Sequence, residues 1–194
     1  MPDSTSHAVV AVAMRVRDGR LETLVRRVAR RRGERLEDAL GRAVDVASLA
    51  HVEQLETRVL GDGALATAYL GLARPDADLG DAWVPAAAVG GDERALVAAA
   101  QARLRAKLSY TNLGFALAPH VFTISELREA YVAALGHDVS ATNLQRVLVR
   151  RRAIERVGGI RAPGRTGGRP ASLFRFASNR LEVTDEFAAL RPPR

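Results

Sequence analysis

The spacing of apolar positions changes along the chain, and each change marks an element. Ala8 to Arg17 is valine-rich and then alternates, with Met14 and Val16 against Arg15 and Arg17, which predicts a strand. Asp18-Gly19 is a two-residue type I′ hairpin signal, and Arg20 to Val28 is the return strand, with Leu21, Leu24, Val25 and Val28 apolar. Leu36, Leu40 and Ala43-Val44 fall at helical spacing, so a short amphipathic helix is expected from Leu36 to Val46. His51 to Leu60 alternates again, and Gly61-Asp62-Gly63 turns it back into a small-residue strand from Ala64 to Ala73. Trp83-Val84-Pro85 is extended, because proline restrains its predecessor. Asp92 begins a helix to about Lys107, with Leu96, Ala100, Leu104 and Leu108 on one stripe.

The pattern then turns helical. Thr123-Ile-Ser-Glu126 fits a capping box, in which a threonine oxygen and a glutamate three residues on satisfy each other's backbone amides. Leu127, Tyr131 and Leu135 form the apolar face that follows, and Gly136 ends the helix. Ser140 caps a second helical stretch, in which Leu144, Val147, Leu148 and Ile154 point inward and which runs to Gly158-Gly159. Thr142, Asn143, Gln145, Arg146 and Arg150 fall on its other side. Ile160 to Ala162 and Ser172 to Phe176 are short strands around a glycine-rich turn. Two helices at a sharp turn followed by a hairpin make the winged helix-turn-helix pattern. The class is therefore α+β: a mixed α/β sandwich over residues 1–108, a linker at 109–118, and a winged helix-turn-helix domain with a tail at 119–194. In the tail, Leu181, Val183, Phe187 and Leu190 are expected to cover the core or a second copy of the chain.

Charge separates the two halves more sharply than hydropathy does. From Arg146 to Arg175 there are nine arginines against one acid, Glu155, whereas the whole 194-residue chain carries only +7. Residues 1–106 hold 15 basic and 15 acidic groups and are neutral. A positive field confined to one helix and hairpin is the footprint of a polyanion-binding surface. Double-stranded DNA is thus the expected partner. Thr142, Asn143, Gln145 and Arg146 are the candidates for base edges, since arginine reads guanine, and asparagine or glutamine reads adenine, through paired hydrogen bonds. Arg150, Arg151 and Arg152 are expected on phosphates, with Arg165, Thr166 and Arg169 in the wing.

Composition excludes much other chemistry. The chain has no cysteine, hence no disulfide, thiolate nucleophile or thiolate-bound zinc. His51, His120 and His137 are scattered without a carboxylate pattern, so no metal and no catalytic residue is expected. The polar start and the absence of a long apolar run predict a cytoplasmic protein without membrane attachment. Arg26, Arg30 and Arg31, in the run around Gly33, are candidates for contacting the phosphates of a nucleotide ligand.

Tyr110-Thr-Asn-Leu-Gly-Phe115, Phe122-Thr-Ile-Ser-Glu-Leu127, Thr142-Asn-Leu-Gln-Arg146 and Gly168-Arg-Pro170 resemble the C-terminal part of the Nudix-related transcriptional regulators of NAD metabolism. The resemblance runs back through Trp83 and His51-Val-Glu-Gln-Leu55 to the first hairpin. It implies an N-terminal Nudix-like domain joined to a C-terminal winged helix. It also implies ADP-ribose or a related nucleotide metabolite as effector. A homodimer is expected because two-fold symmetry doubles the small interface of one winged helix, and the regulator is expected to be a repressor without a cofactor. The Nudix box has the form Gly-x5-Glu-x7-Arg-Glu-u-x-Glu-Glu-x-Gly-u, where u is apolar. Anchored at Arg42, it places Glu34 on the first glutamate, but the three helix glutamates fall on Ala43, Val46 and Ala47 and the two glycines on Val28 and Leu49. Alanine and valine cannot hold the divalent cations that pyrophosphate hydrolysis requires. The expectation is a regulator with a catalytically inactive sensor domain. An active Nudix hydrolase, or a constitutive DNA-binding protein whose N-terminal domain only dimerises, are the alternatives.

Overall fold

The computed structural model describes residues 7–161 and 170–185. Its centre is a five-stranded mixed sheet in the order β3-β4-β1-β2-β5, with β1 (His7–Arg17), β2 (Arg20–Ala29), β3 (His51–Val59), β4 (Leu65–Leu72) and β5 (Val84–Pro85). β1 and β4 run parallel and the other pairs antiparallel. The hairpin between β1 and β2 closes on Arg17 opposite Arg20, with Asp18 at φ 50° and Gly19 at φ 70°, the left-handed pair that a type I′ turn needs.

The valine run of β1 reflects burial on both faces. Val9 and Ala11 form a small core with Ala39 and Leu40 of α1 (Leu36–Ala43) and with Tyr69 of the neighbouring strand β4. Val10, Val12 and Met14 join the larger core with Leu96, Ala100 and Leu104 of α2 (Glu93–Tyr110). A strand covered on both sides reads as a continuous apolar run rather than a strict alternation.

Two expected boundaries move. α1 ends at Ala43, not Val46, because Val44 is extended and Asp45 starts a separate 3-10 turn over Val46–Ser48. Asp45 accepts hydrogen bonds from the Ala47 amide (3.1 Å) and the Ser48 hydroxyl (2.5 Å), a local closure that competes with helix continuation. The second shift is in the helical stretch after Ser140. The helix α4 (Ala141–Arg150) stops at Arg150, Arg152 turns at φ 55°, and Ile154–Arg161 is the strand β6. Ile154 is buried as expected, but on a strand. Gly158-Gly159, expected to end the helical stretch, instead forms an irregularity in the pairing of β6 with β7 (Ala171–Phe176), with Gly159 at φ 98°.

The helix α3 (Ile124–Leu135) carries the capping box in full: the Thr123 hydroxyl accepts from the Glu126 amide, and the Glu126 carboxylate accepts from the Thr123 amide at 2.7 Å. Phe122 bridges to Phe174 by two backbone hydrogen bonds of 2.9 and 2.8 Å, adding a short third strand segment to the β6–β7 hairpin. The stretch 109–118, read as a linker, is no exposed spacer. Thr111 to Ala118 are all buried, and Leu113, Phe115, Ala116 and Leu117 belong to the same core as Val10 of the sheet and Leu148 of α4. The tail clamps this segment: the Asn112 amide group donates to the Arg180 carbonyl (2.8 Å) and Thr184 N–H to the Tyr110 carbonyl (2.8 Å). It does so with its backbone, while Leu181 and Val183 themselves face outward, so that of the two expected roles they do not cover the core and are left open to a second copy of the chain. Phe187 and Leu190 lie outside the described residues.

A core shared by the two halves predicts one cooperative unfolding transition, checked by coincident thermal melts monitored by far-UV circular dichroism and by Trp83 fluorescence. Gly114 sits at the narrowest point, where an added Cβ would lie 2.7 Å from the Tyr131 hydroxyl and 2.8 Å from Phe176 Cζ. Gly114→Ala is expected to destabilise the whole chain by about 1–3 kcal/mol, the usual cost of overpacking, without separating that transition into two.

Candidate nucleic-acid interface

α4 is held with one face out. Leu144 and Leu148 are buried, while Thr142, Asn143, Gln145, Arg146, Val149 and Arg150 are exposed, as a helix of 3.6 residues per turn requires when only one stripe is apolar. Ser140 caps the helix by accepting from the Asn143 amide. The turn before it is fastened by Arg128, whose Nε donates to the Val139 carbonyl (2.7 Å) and whose guanidinium pairs with Asp138. Gly136, at φ 77°, supplies the left-handed residue that closes α3. On the exposed face Arg146 donates to the Asn143 side-chain oxygen at 2.8 Å, which orients both side chains before any ligand arrives.

The arginines divide into tied and free. Arg161 pairs with Glu126, so one carboxylate both caps α3 and anchors the far end of β6. Arg175 pairs with Glu155 at 2.6 Å along the hairpin. Arg150, Arg152 and Arg156 are exposed and, among the described residues, form no ion pair. Arg156, not among the expected contacts, is exposed on β6 opposite Phe174 in the hairpin register. Arg165, Thr166 and Arg169 lie outside the described residues.

Arg151 requires a correction. It was expected on a phosphate, but its side chain is only 10% exposed. One guanidinium nitrogen donates to the Ser109 carbonyl at the end of α2 (2.9 Å), and another pairs with Asp185 of the tail at 2.7 Å. It follows Arg150 at the α4 C-terminus, so the next residue around the helix points inward. Charge counting cannot see that rotation. The buried Tyr131 hydroxyl lies nearby, and loss of solvent pushes its pKa up while the Arg151 charge opposes the rise.

The N-terminal box residues form a structural cluster. Arg42 donates to both Glu34 oxygens, at 2.8 and 2.9 Å, and the Arg31 amide donates to the same carboxylate at 2.7 Å. These bonds hold the Glu34 pKa at about 2, far below the ordinary carboxylate value. Ala43, Val46 and Ala47 occupy the remaining carboxylate positions, two of them beyond the end of α1. Among the described residues no three acids or histidines gather at metal-binding spacing. Arg26, Arg30 and Arg31 are exposed, and Arg30 donates to the Glu34 carbonyl (2.8 Å) within the turn that precedes α1. Of the scattered histidines, His51 sits against Glu53 on β3, while His120 and His137 lie in loops.

Residues 114–176 match the family model described as the NrtR DNA-binding winged helix domain. The ADPR responsive transcriptional repressor NtrR of Acinetobacter baylyi is 35% identical over 86 residues, 44% of this chain. The matched stretch spans 33% of that relative's length. The NrtR of Shewanella oneidensis, crystallised in complex with a 27mer DNA, superposes with a TM-score of 0.69 at 23% identity, covering 87% of this chain and 92% of that one. A MutT/nudix family protein from Enterococcus faecalis gives a TM-score of 0.65 at 15% identity over 92% and 90% of the two chains. The fold is thus a Nudix-like α/β domain followed by a winged helix.

Arg151→Ala is expected to destabilise the fold, since removing one partner of a nearly buried ion pair costs about 3–5 kcal/mol. Arg146→Ala is expected to leave the melting temperature within about 1 °C of wild type, as a surface change does. Thermal denaturation of both variants checks the division. The low Glu34 pKa means that its stabilising contribution is present above the ordinary carboxylate pKa of 4.5 and is lost as the pH falls towards about 2. Glu34→Gln should flatten the acid limb of the stability profile in that window, measured by urea denaturation across pH.

Proposed function

We propose, from the premise of a Nudix-like domain fused to an NrtR-type winged helix, that the protein is a DNA-binding transcriptional repressor whose N-terminal domain senses a nucleotide metabolite and does not hydrolyse it. The observation that carries the reading is the outer face of α4, where an oriented Arg146–Asn143 pair stands among unpaired arginines. Such a face offers hydrogen-bond donors to base edges and charge to phosphates at once. The protein binds as a homodimer, because one winged helix offers a small interface and two-fold symmetry doubles it on a palindromic operator.

ADP-ribose is the effector we favour, since the Acinetobacter relative is described as ADPR responsive. Loss of the box carboxylates supports sensing without turnover: a pocket that cannot hold the bridging cations can still recognise the nucleotide. The effector regulates only if it binds the DNA-free and DNA-bound arrangements with different affinity.

The test is selection of duplexes from a random library by the purified chain, followed by titration at several salt concentrations with and without ADP-ribose. Arg146→Ala should narrow the gap between selected and random duplexes by about 1–3 kcal/mol, whereas Arg150→Ala should weaken both equally and lower the salt slope by about one unit. Magnesium-dependent hydrolysis of ADP-ribose, abolished in Glu34→Gln, would instead establish an enzyme.

A further inference from the structure

The outer face of α4 contains one residue that neither folding nor phosphate binding explains. Thr142, Gln145, Arg146 and Val149 lie at positions i, i+3, i+4 and i+7 and therefore form a single stripe. Three of them are polar. Val149 is an apolar side chain left 48% exposed, and it belongs to neither hydrophobic core. A β-branched residue restricts its own rotamers in a helix, and the exposed half of Val149 gains nothing from the fold in return. Neighbouring Val147 is half-buried and Leu148 fully buried, so the apolar requirement of this turn is already met from the inner face.

We infer that Val149 is a specificity-determining residue that reads the C5-methyl group of a thymine in the major groove. The inference rests on the DNA-binding reading above and assigns a further contact to the same face. Among the base edges that a major-groove helix meets, the thymine methyl is the apolar one, and an aliphatic side chain is its complement. Val149 stands three residues beyond Arg146, about 4.5 Å along the helix axis, roughly one base step of 3.4 Å. Arg146 and Val149 thus read neighbouring base pairs, a guanine by hydrogen bonds and a thymine by van der Waals contact. Arg150, next in sequence and exposed, is placed to hold the adjacent phosphate.

The experiment uses the full chain and the duplex it enriches from a random library. Each thymine of that duplex is replaced singly by deoxyuridine, which removes the methyl and preserves base pairing. One substitution next to the guanine contact should weaken wild type about fourfold, the effect of withdrawing a single buried methyl. Val149→Ala should bind the thymine and uracil duplexes equally, Val149→Ile should keep the discrimination, and Arg146→Ala should lose guanine preference while retaining the methyl effect. Because Val149 is exposed, Val149→Ala should melt with wild type. If no uracil substitution affects wild type, or if Val149→Ala retains the same penalty, the assignment is overturned. If no duplex is enriched at all, the DNA-binding reading fails and carries this inference down with it, a result distinct from both.

Discussion

The structure depends on the burial of residues 111–118 between the sheet and the winged helix. Gly114 lets the chain pass against Tyr131 of α3 and Phe176 of β7, with no room for even one methyl group. Leu113, Phe115 and Leu117 fill the space on either side and make one core of what the sequence divides into two. Interiors packed this closely transmit displacement instead of absorbing it. The N-terminal sheet and α4 are thus joined by continuous packing, with Arg151 fastening the end of α4 to the end of α2 and to the tail.

The same economy governs charge. The basic segment looks uniform in sequence, but carboxylates at 126, 155 and 185 each neutralise one arginine in the folded chain. The pairs serve the scaffold: one anchors β6, one spans the hairpin, one locks the helix end. Among the described residues, the arginines left without an ion pair in this segment are Arg146, Arg150, Arg152 and Arg156, on α4, just after it and on the adjoining strand, and all four face water. Arginine charge that is not consumed internally is free to neutralise phosphates and so to displace the cations condensed on a polyanion.

In the N-terminal domain the residues on the box positions serve the scaffold. Glu34 and Arg42 keep the spacing of the motif, and they use it to close the turn around Gly33 and Glu34 against α1. At two of the helix-glutamate positions the side chains pack: Ala43 and Val46 lie against the smaller core beside Leu40. An apolar side chain there gains from burial what a cluster of carboxylates would lose to mutual repulsion.

Much was legible from the chain alone. Period-two alternation, the Asp18-Gly19 turn and the Thr123–Glu126 capping box are local signals, and each appeared where its short-range chemistry requires. The exposed face of α4 followed from helical periodicity, and the eroded box from residue identity. Tertiary structure decided the rest, because the deciding partners are far apart in sequence. Arg151 could be separated from Arg150 and Arg152 only once Ser109 and Asp185 were placed beside it, 42 and 34 residues away. The end of α4 was set by a strand pairing with residues 171–176, and residues 111–118 of the expected linker were revealed as core only by what surrounds them. Sequence determines what each residue can do within a turn or two of its neighbours; which arginines remain free to act is a matter of long-range packing.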